Sequence, residues 1–256
     1  MADSMIDREL RARADDGWTG RLRVSTLTGH GVGELYLFEG DVYSVQLRDH
    51  RPRLFARLVA AGIIDGDREG EIDVFVAPEA RDAAVGRFAV EHEWMPIERL
   101  AEFHSEYLLA GLGGLRSLVG VKVVAEANVT TNVRCALPSP AADIIASIDL
   151  RMERSREVWS RVGAATGPRE TVLSWCGDRT MAPFVAPELA AFAAEVDAAR
   201  SVDEIADDCG FTRAEAEFLT AALVKDGIVE VSGSKTMPVG ACLVPEDAGR
   251  AGSAAL

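Results

Sequence analysis

Apolar and polar residues alternate with a period of two along the early part of this chain and with a period near 3.6 along most of the rest. Leu22 and Val24 alternate with Arg21 and Arg23, which predicts a strand over residues 20–24. Residues 34–38 and 42–47 read as two further strands. A turn over residues 27–33 precedes them, and the reversal Glu39-Gly40-Asp41 separates them. Helical spacing begins with Leu54, Phe55, Leu58 and Val59, where Pro52 suits a first helical position and Gly62 a stop. Further helices are expected near residues 78–89 and over 96–112, the second through Ile97, Leu100, Phe103, Leu108 and Leu112. The most regular helix is predicted over residues 143–162, with Ile145, Ile148, Met152, Trp159 and Val162 on one stripe. Between these helices, residues 121–125 and 130–136 read as a hairpin, and Pro138-Ser139-Pro140 as a break.

The most informative stretch is SVDEIADDCGFTRAEAEFLTAALVKDGIVEV, residues 201–231. Ser201 stands three residues before Glu204 and Thr212 three before Glu215, so each pair spells a capping box. Gly210 falls where the first of the two helices must end, and Gly227 where the second must. Residues 228–231 follow as a strand. Helix, turn, helix and strand in this order are the order of a winged helix, whose second helix ordinarily enters the major groove. Its charge has the wrong sign for that task. The stretch carries eight acids against Arg213 and Lys225.

The rest of the composition extends that conclusion. A net charge of −14, shared by both halves, weakens nucleic-acid and anionic-membrane readings, which need a positive field. The N-terminus lacks the charged-then-apolar order of a signal peptide, and no apolar run is long enough to span a bilayer. Cys135, Cys176, Cys209 and Cys242 are scattered, with no CxxC pair. Together these features predict a cytoplasmic protein with reduced thiols.

Two stretches resemble a known family. Gly20-Arg21-Leu22-Arg23-Val24, then Gly33-Glu34-Leu35-Tyr36-Leu37-Phe38-Glu39-Gly40-Asp41-Val42, then the helix near Leu54, resemble the PATAN (DUF4388) domain. That domain has a strand "tG-x-L-x-V", a strand ending in "F-x-x-G-x-I" and a helix beneath. The second stretch is the long helix with Arg151, Arg154 and Trp159, followed by Arg200-Ser201-Val202-Asp203-Glu204-Ile205-Ala206 and Leu223-Val224-Lys225-Asp226-Gly227-Ile228-Val229-Glu230. It is similar to the winged helix of the same proteins. The resemblance implies a bacterial regulatory protein, linked to response regulators or to small Ras-like GTPases, and brings no catalytic residue with it. The expected fold class is α+β: a PATAN-like mixed α/β domain over residues 1–140, a connecting helix and loop over 141–175, a winged-helix-like domain over 176–235, and a disordered tail over 236–256.

No constellation of catalytic residues emerges. Gly29-His30-Gly31-Val32-Gly33 precedes a strand, whereas a phosphate-cradling loop precedes a helix N-terminus, so these glycines read as turn residues. His30, His50, His92 and His104 lack metal-ligand spacing. Glu91/Glu93 and Asp207/Asp208 read as solvated pairs. No enzyme activity, cofactor or metal is expected. Two arginine groups are candidates for binding an acidic protein partner: Arg48, Arg51, Arg53 and Arg57, the densest positive stretch, and Arg151, Arg154 and Arg161 on the long helix. Solvated arginines paired with Asp49, Glu39, Glu153 and Glu157 are the plainer account. DNA is the alternative partner, with Arg213, Lys225 and Lys235 as its contacts. A homodimer through Leu108, Leu109 and Leu112, in a segment with Gly111, Gly113 and Gly114, is compatible with the pattern.

Overall fold

The computed structural model describes residues 4–48, 50, 53–72, 81–131, 138–162, 168–176 and 186–235. The architecture is α+β. Helix α1 (Met5–Asp15) starts at a Ser4 capping box and leads into strands β1 (Gly20–Thr26), β2 (Gly31–Phe38) and β3 (Asp41–Leu47). Helices α2 (Leu54–Ala60), α3 (Glu69–Ile72), α4 (Arg81–Glu91) and α5 (Ile97–Arg116) follow. Then come β4 (Val121–Ala127), the two-residue β5 (Ser139–Pro140) and α6 (Ala141–Val162). The C-terminal part comprises β6 (Thr171–Trp175), α7 (Pro187–Ala194), α8 (Val202–Cys209), α9 (Arg213–Lys225) and β7 (Val229–Ser234).

The first sheet is antiparallel, in the order β4-β1-β2-β3-β5. Its register places Leu22 beside Leu35 and Leu35 beside Val45, so the apolar half of each alternation faces one way. That face is covered by α1, α5 and α6, and Ile6, Leu10, Leu108, Leu112, Ile145 and Ile148 close the core. Two glycines of α5 set the closeness of packing. A Cβ on Gly111 would stand 2.8 Å from Val45 Cγ1, and one on Gly113 would stand 3.4 Å from the Phe218 ring of α9. Arg116 then ties α1, α5 and α6 together, its Nη2 donating to Asp7 at 3.0 Å and to Asp149 at 2.8 Å.

The helix-turn-helix forms as its pattern predicts. Both capping boxes are present, at Ser201/Glu204 and at Thr212/Glu215, and Gly210 ends α8 in the left-handed region at φ 69°. Phe192, Val202, Ile205, Phe211, Leu219, Leu223 and Val229 make a second core. A third, smaller one joins α2, α4 and the start of α5 through Leu54, Leu58, Val85 and Phe103.

Several expectations need correction. Leu108 and Leu112 are fully buried and Leu109 packs beside them, so these leucines and glycines build the interior rather than an exposed dimer seam. α2 begins at Leu54 with Arg53 at its N-cap position, and the Pro52 expected at the first helical position lies outside the described residues. β4 pairs with β1, and Thr130 and Thr131 are not strand; the remainder of the expected second hairpin arm lies outside the described residues. The proline break at 138–140 supplies β5, which extends the β3 edge. β6 pairs with β7, so residues 171–175 share a sheet with the strand that follows the helix-turn-helix. No described helix is long and apolar enough to cross a membrane.

Candidate functional site

The structure scatters the arginines that the sequence grouped. Arg57 points inward from α2 and is fully buried, its guanidinium held by both oxygens of Glu215 at 2.7 and 2.9 Å. It also donates to the Gly210 carbonyl and lies 4.2 Å from the centre of the Phe211 ring. Arg53, at the α2 N-cap with φ 48°, donates to the Asp208 carbonyl at 2.7 Å. The acidic partner of these two arginines is therefore the chain's own helix-turn-helix, and they form no patch for another molecule. Arg48 is exposed, and Arg51 lies outside the described residues.

The long-helix arginines divide in the same way. Arg151 forms a bidentate pair with Glu106 of α5, in place of the expected Glu153 or Glu157. Arg161 pairs with Glu157 on the surface. Arg154 is exposed and lines a pocket of about 270 Å³ between α5, α6, α7 and α9. Of the cations proposed for DNA, Arg213 lies 3.8 Å from Asp203 and Lys235 lies 2.6 Å from Glu204. Lys225 stands beside Asp226 on the wall of the same 270 Å³ pocket. Helix α9 itself packs against α5, α6, α7 and α8.

Glu188, which the pattern did not single out, is the unusual group of this pocket. It is 1% exposed, and neither of its carboxylate oxygens has a hydrogen-bond partner among the described residues. Burial, reinforced by the nearby Glu106 carboxylate, pushes its acid up to about 8. Glu215 is also pushed up by burial, against the pull of Arg57. One signal was available in the sequence: α7 reads PELAAFAA, apolar apart from Glu188, so the helix had to be buried and its acid with it. His50, stacked on Tyr107 with ring centres 5.9 Å apart, is lowered to about 4 by burial and by Arg57, and is neutral at physiological pH.

A second feature lies on the opposite face of the sheet. An open groove of about 770 Å³ is lined by Arg23, Arg48, Lys122, Gln46 and the turn residues 26–29. The one carboxylate on its wall, Glu34, is held by Arg21 and by the Tyr36 hydroxyl, and Arg23 lies 3.7 Å from Glu126. Leu27 of the β1–β2 turn is 78% exposed, and Val119, before β4, is 97% exposed. The Gly29–Gly33 run forms this β1–β2 turn and the start of β2, with Gly29 at φ 88°. The described residues contain no cluster of His, Cys, Asp or Glu able to hold a metal. Cys209 is buried and its thiol is pushed up to about 12, while Cys176 is exposed.

No protein-family model, curated protein or solved structure matches this chain. The likeness to PATAN and winged-helix proteins thus rests on the residues quoted above.

Proposed function

We propose that this is a non-catalytic regulatory adaptor, acting by protein–protein contact in bacterial signalling. The observation that carries the reading is the burial of α9. The helix that a winged-helix reader would insert in DNA is packed against α5 and α6 and clamped by Arg57. Arg213 and Lys235 are each neutralised by a carboxylate. A protein that binds duplex DNA gains affinity by releasing counterions with free cations, and this helix-turn-helix carries few. Its role here is to be the acidic face on which the chain's own α2 docks.

The surface we assign to an external partner is the groove on the sheet. Arg48 and Lys122, beside an Arg23 that Glu126 offsets, make a local positive field on a protein of net charge −14, flanked by the exposed Leu27 and Val119. That chemistry fits an acidic protein segment with an apolar anchor. A receiver domain or a small Ras-like GTPase is the partner class that the family resemblance suggests. The test is an association measurement between purified proteins, with each nucleotide state of the GTPase as a separate arm. Saturable binding that weakens with salt supports the reading. Tight, sequence-dependent retention of duplex DNA at physiological salt would replace it with the alternative, a winged-helix transcriptional regulator.

A further inference from the structure

Strand β4 leaves one edge of the five-stranded sheet open. All seven of its residues, Val121–Ala127, pair with β1 without a register shift, and no described residue bonds to its other side. The register tells which backbone groups lie there. The Asn128 N–H donates to the Thr19 carbonyl, which makes these two a hydrogen-bonded pair, and such pairs recur at every second residue of an antiparallel ladder. Lys122, Val124 and Glu126 therefore direct their backbone N–H and C=O groups to β1. Those of Val121, Val123, Ala125 and Ala127 point outward.

Folded proteins ordinarily blunt such an edge with proline, a bulge or a charge on the core face. β4 reads VKVVAEA, without proline, and its ladder is regular. Val123 lies beside Val24 and Ala125 beside Leu22, so its core face carries only Val121, Val123, Ala125 and Ala127. Ala125 and Ala127 are exposed, which leaves that end of the edge uncovered. Lys122, Val124 and Glu126 occupy the outer face. Lys122 is exposed and has no carboxylate partner among the described residues. Glu126 gives Oε2 to Arg21, while its Oε1 has Arg23 at 3.7 Å and keeps room for another donor.

This strand is complementary to itself. We propose that two copies of the chain associate edge to edge through β4, about a two-fold axis beside Val124. In that antiparallel register Val121 faces Ala127 of the second copy and Val123 faces Ala125, each pair exchanging both backbone hydrogen bonds. Val124 meets its own counterpart. Lys122 lies opposite Glu126 of the second copy, and Glu126 opposite Lys122, so opposite charges pair on the outer face. A shift of two residues either way sets one of these charges against Val124. A shift of one residue sets outward backbone groups against inward ones and turns the apolar face over. The sheet then runs continuously through both copies, with a groove walled by Lys122 and Val124 on each side of the axis. The inference goes beyond the adaptor reading and does not depend on it.

A strand edge by itself is at the small end of specific interfaces, so the dimer forms reversibly and at raised concentration. The test is sedimentation velocity on the full chain alone, from about 1 μM to about 1 mM, where a monomer–dimer equilibrium is expected. Ala125→Pro removes an outward N–H and no bond to β1, so its melting temperature should stay near the parent's. The two-fold axis makes that loss count twice, and self-association should weaken at least about tenfold. Lys122→Glu sets like charges opposite each other and should weaken it at least about threefold. Register has its own readout. Residues of a non-hydrogen-bonded pair stand about 4.5 Å apart at Cα, within the span of a disulfide. Oxidised Val124→Cys should therefore join the two introduced thiols, located by peptide mass mapping, whereas Ala127→Cys should form no such link. The inference is overturned if the chain stays monomeric at about 1 mM, if Ala125→Pro associates as the parent does, or if Val124→Cys links no more readily than Ala127→Cys. Failure of the groove to find a protein partner would leave it standing, since this measurement contains the chain alone.

Discussion

Arg57 and Glu215, 158 residues apart in sequence, meet through two parallel hydrogen bonds with 1% and 2% of their side chains exposed. This pair joins α2 of the sheet-bearing part to α9 of the helix-turn-helix. Glu215 also closes the Thr212 capping box, so one carboxylate serves the start of a helix and the docking of that helix.

Removing one member should leave an uncompensated buried charge. Arg57→Met is expected to lower unfolding free energy by about 3–5 kcal/mol, the range for broken buried pairs. Glu215→Gln added to that variant should recover part of the loss, because the stranded charge is gone. Denaturant titration of the parent, both single variants and the double variant checks this. Simple additivity of the two losses would show that the residues do not act as a pair.

The caps are a local matter and should behave so. Ser201→Ala and Thr212→Ala each remove an acceptor for an orphan helix donor, at a cost of about 1 kcal/mol. Thermal melts that match the parent for both would contradict the helix starts described above.

Gly111→Ala tests the packing of α5 on the sheet. The new methyl would lie 2.8 Å from Val45 Cγ1, and the neighbour is a branched core side chain with little room to yield. A loss of about 1–3 kcal/mol is expected, the usual range for overpacking. Adding Val45→Ala should restore part of it if the clash is the cause.

Glu188 should make the protein's stability depend on pH. Its folded-state value of about 8 lies above the ordinary 4.5, so between these values the folded chain holds a proton that the unfolded chain has released. This group's stabilising contribution is therefore full below about pH 4.5, falls as pH rises, and is gone above about pH 8. The neighbours that set this balance are Glu106 on α5, Glu215 on α9, Arg57 on α2 and Arg151 on α6. Glu188→Gln removes the titration. The variant should match the parent near pH 4.5 and pull ahead by up to roughly 1.4 kcal/mol per pH unit above it. A parent-to-variant gap that stays constant from pH 5 to pH 8 is the contrary result.

Reversing charge in the sheet groove should change association without changing folding. Arg48→Glu with Lys122→Glu alters two exposed side chains, and stability should stay within about 0.5 kcal/mol of the parent. The association rate with an acidic partner should fall, most of all at low salt where steering is strongest. Arg53→Glu and Arg57→Glu should instead disturb the fold, since those arginines hold α2 to the helix-turn-helix.

The contrast between those two pairs of cations shows where sequence reasoning succeeds and where it stops. The capping boxes at Ser201 and Thr212, the αL stop at Gly210 and the alternation of Leu22 and Val24 were legible because each depends on residues a few positions apart. The acidity of the helix-turn-helix was legible too, being only a sum of charges. Arg48, Arg53 and Arg57 looked alike on the chain, yet Arg48 is exposed, Arg53 stands at the α2 N-cap position and donates to the Asp208 carbonyl, and Arg57 is buried. The leucines and glycines of α5 could as well have met a second copy of the protein as Val45 and Phe218 of the same chain. Glu188 stands in an apolar helix but was not singled out, and its missing partner depends on Arg151 and Arg57 having found other carboxylates. Local hydrogen bonding and periodicity are written in neighbouring residues, so the sequence alone determines them. The burial of a charge, and the identity of its partner, depend on which helix faces meet across a hundred or more residues, and only the tertiary structure decides that.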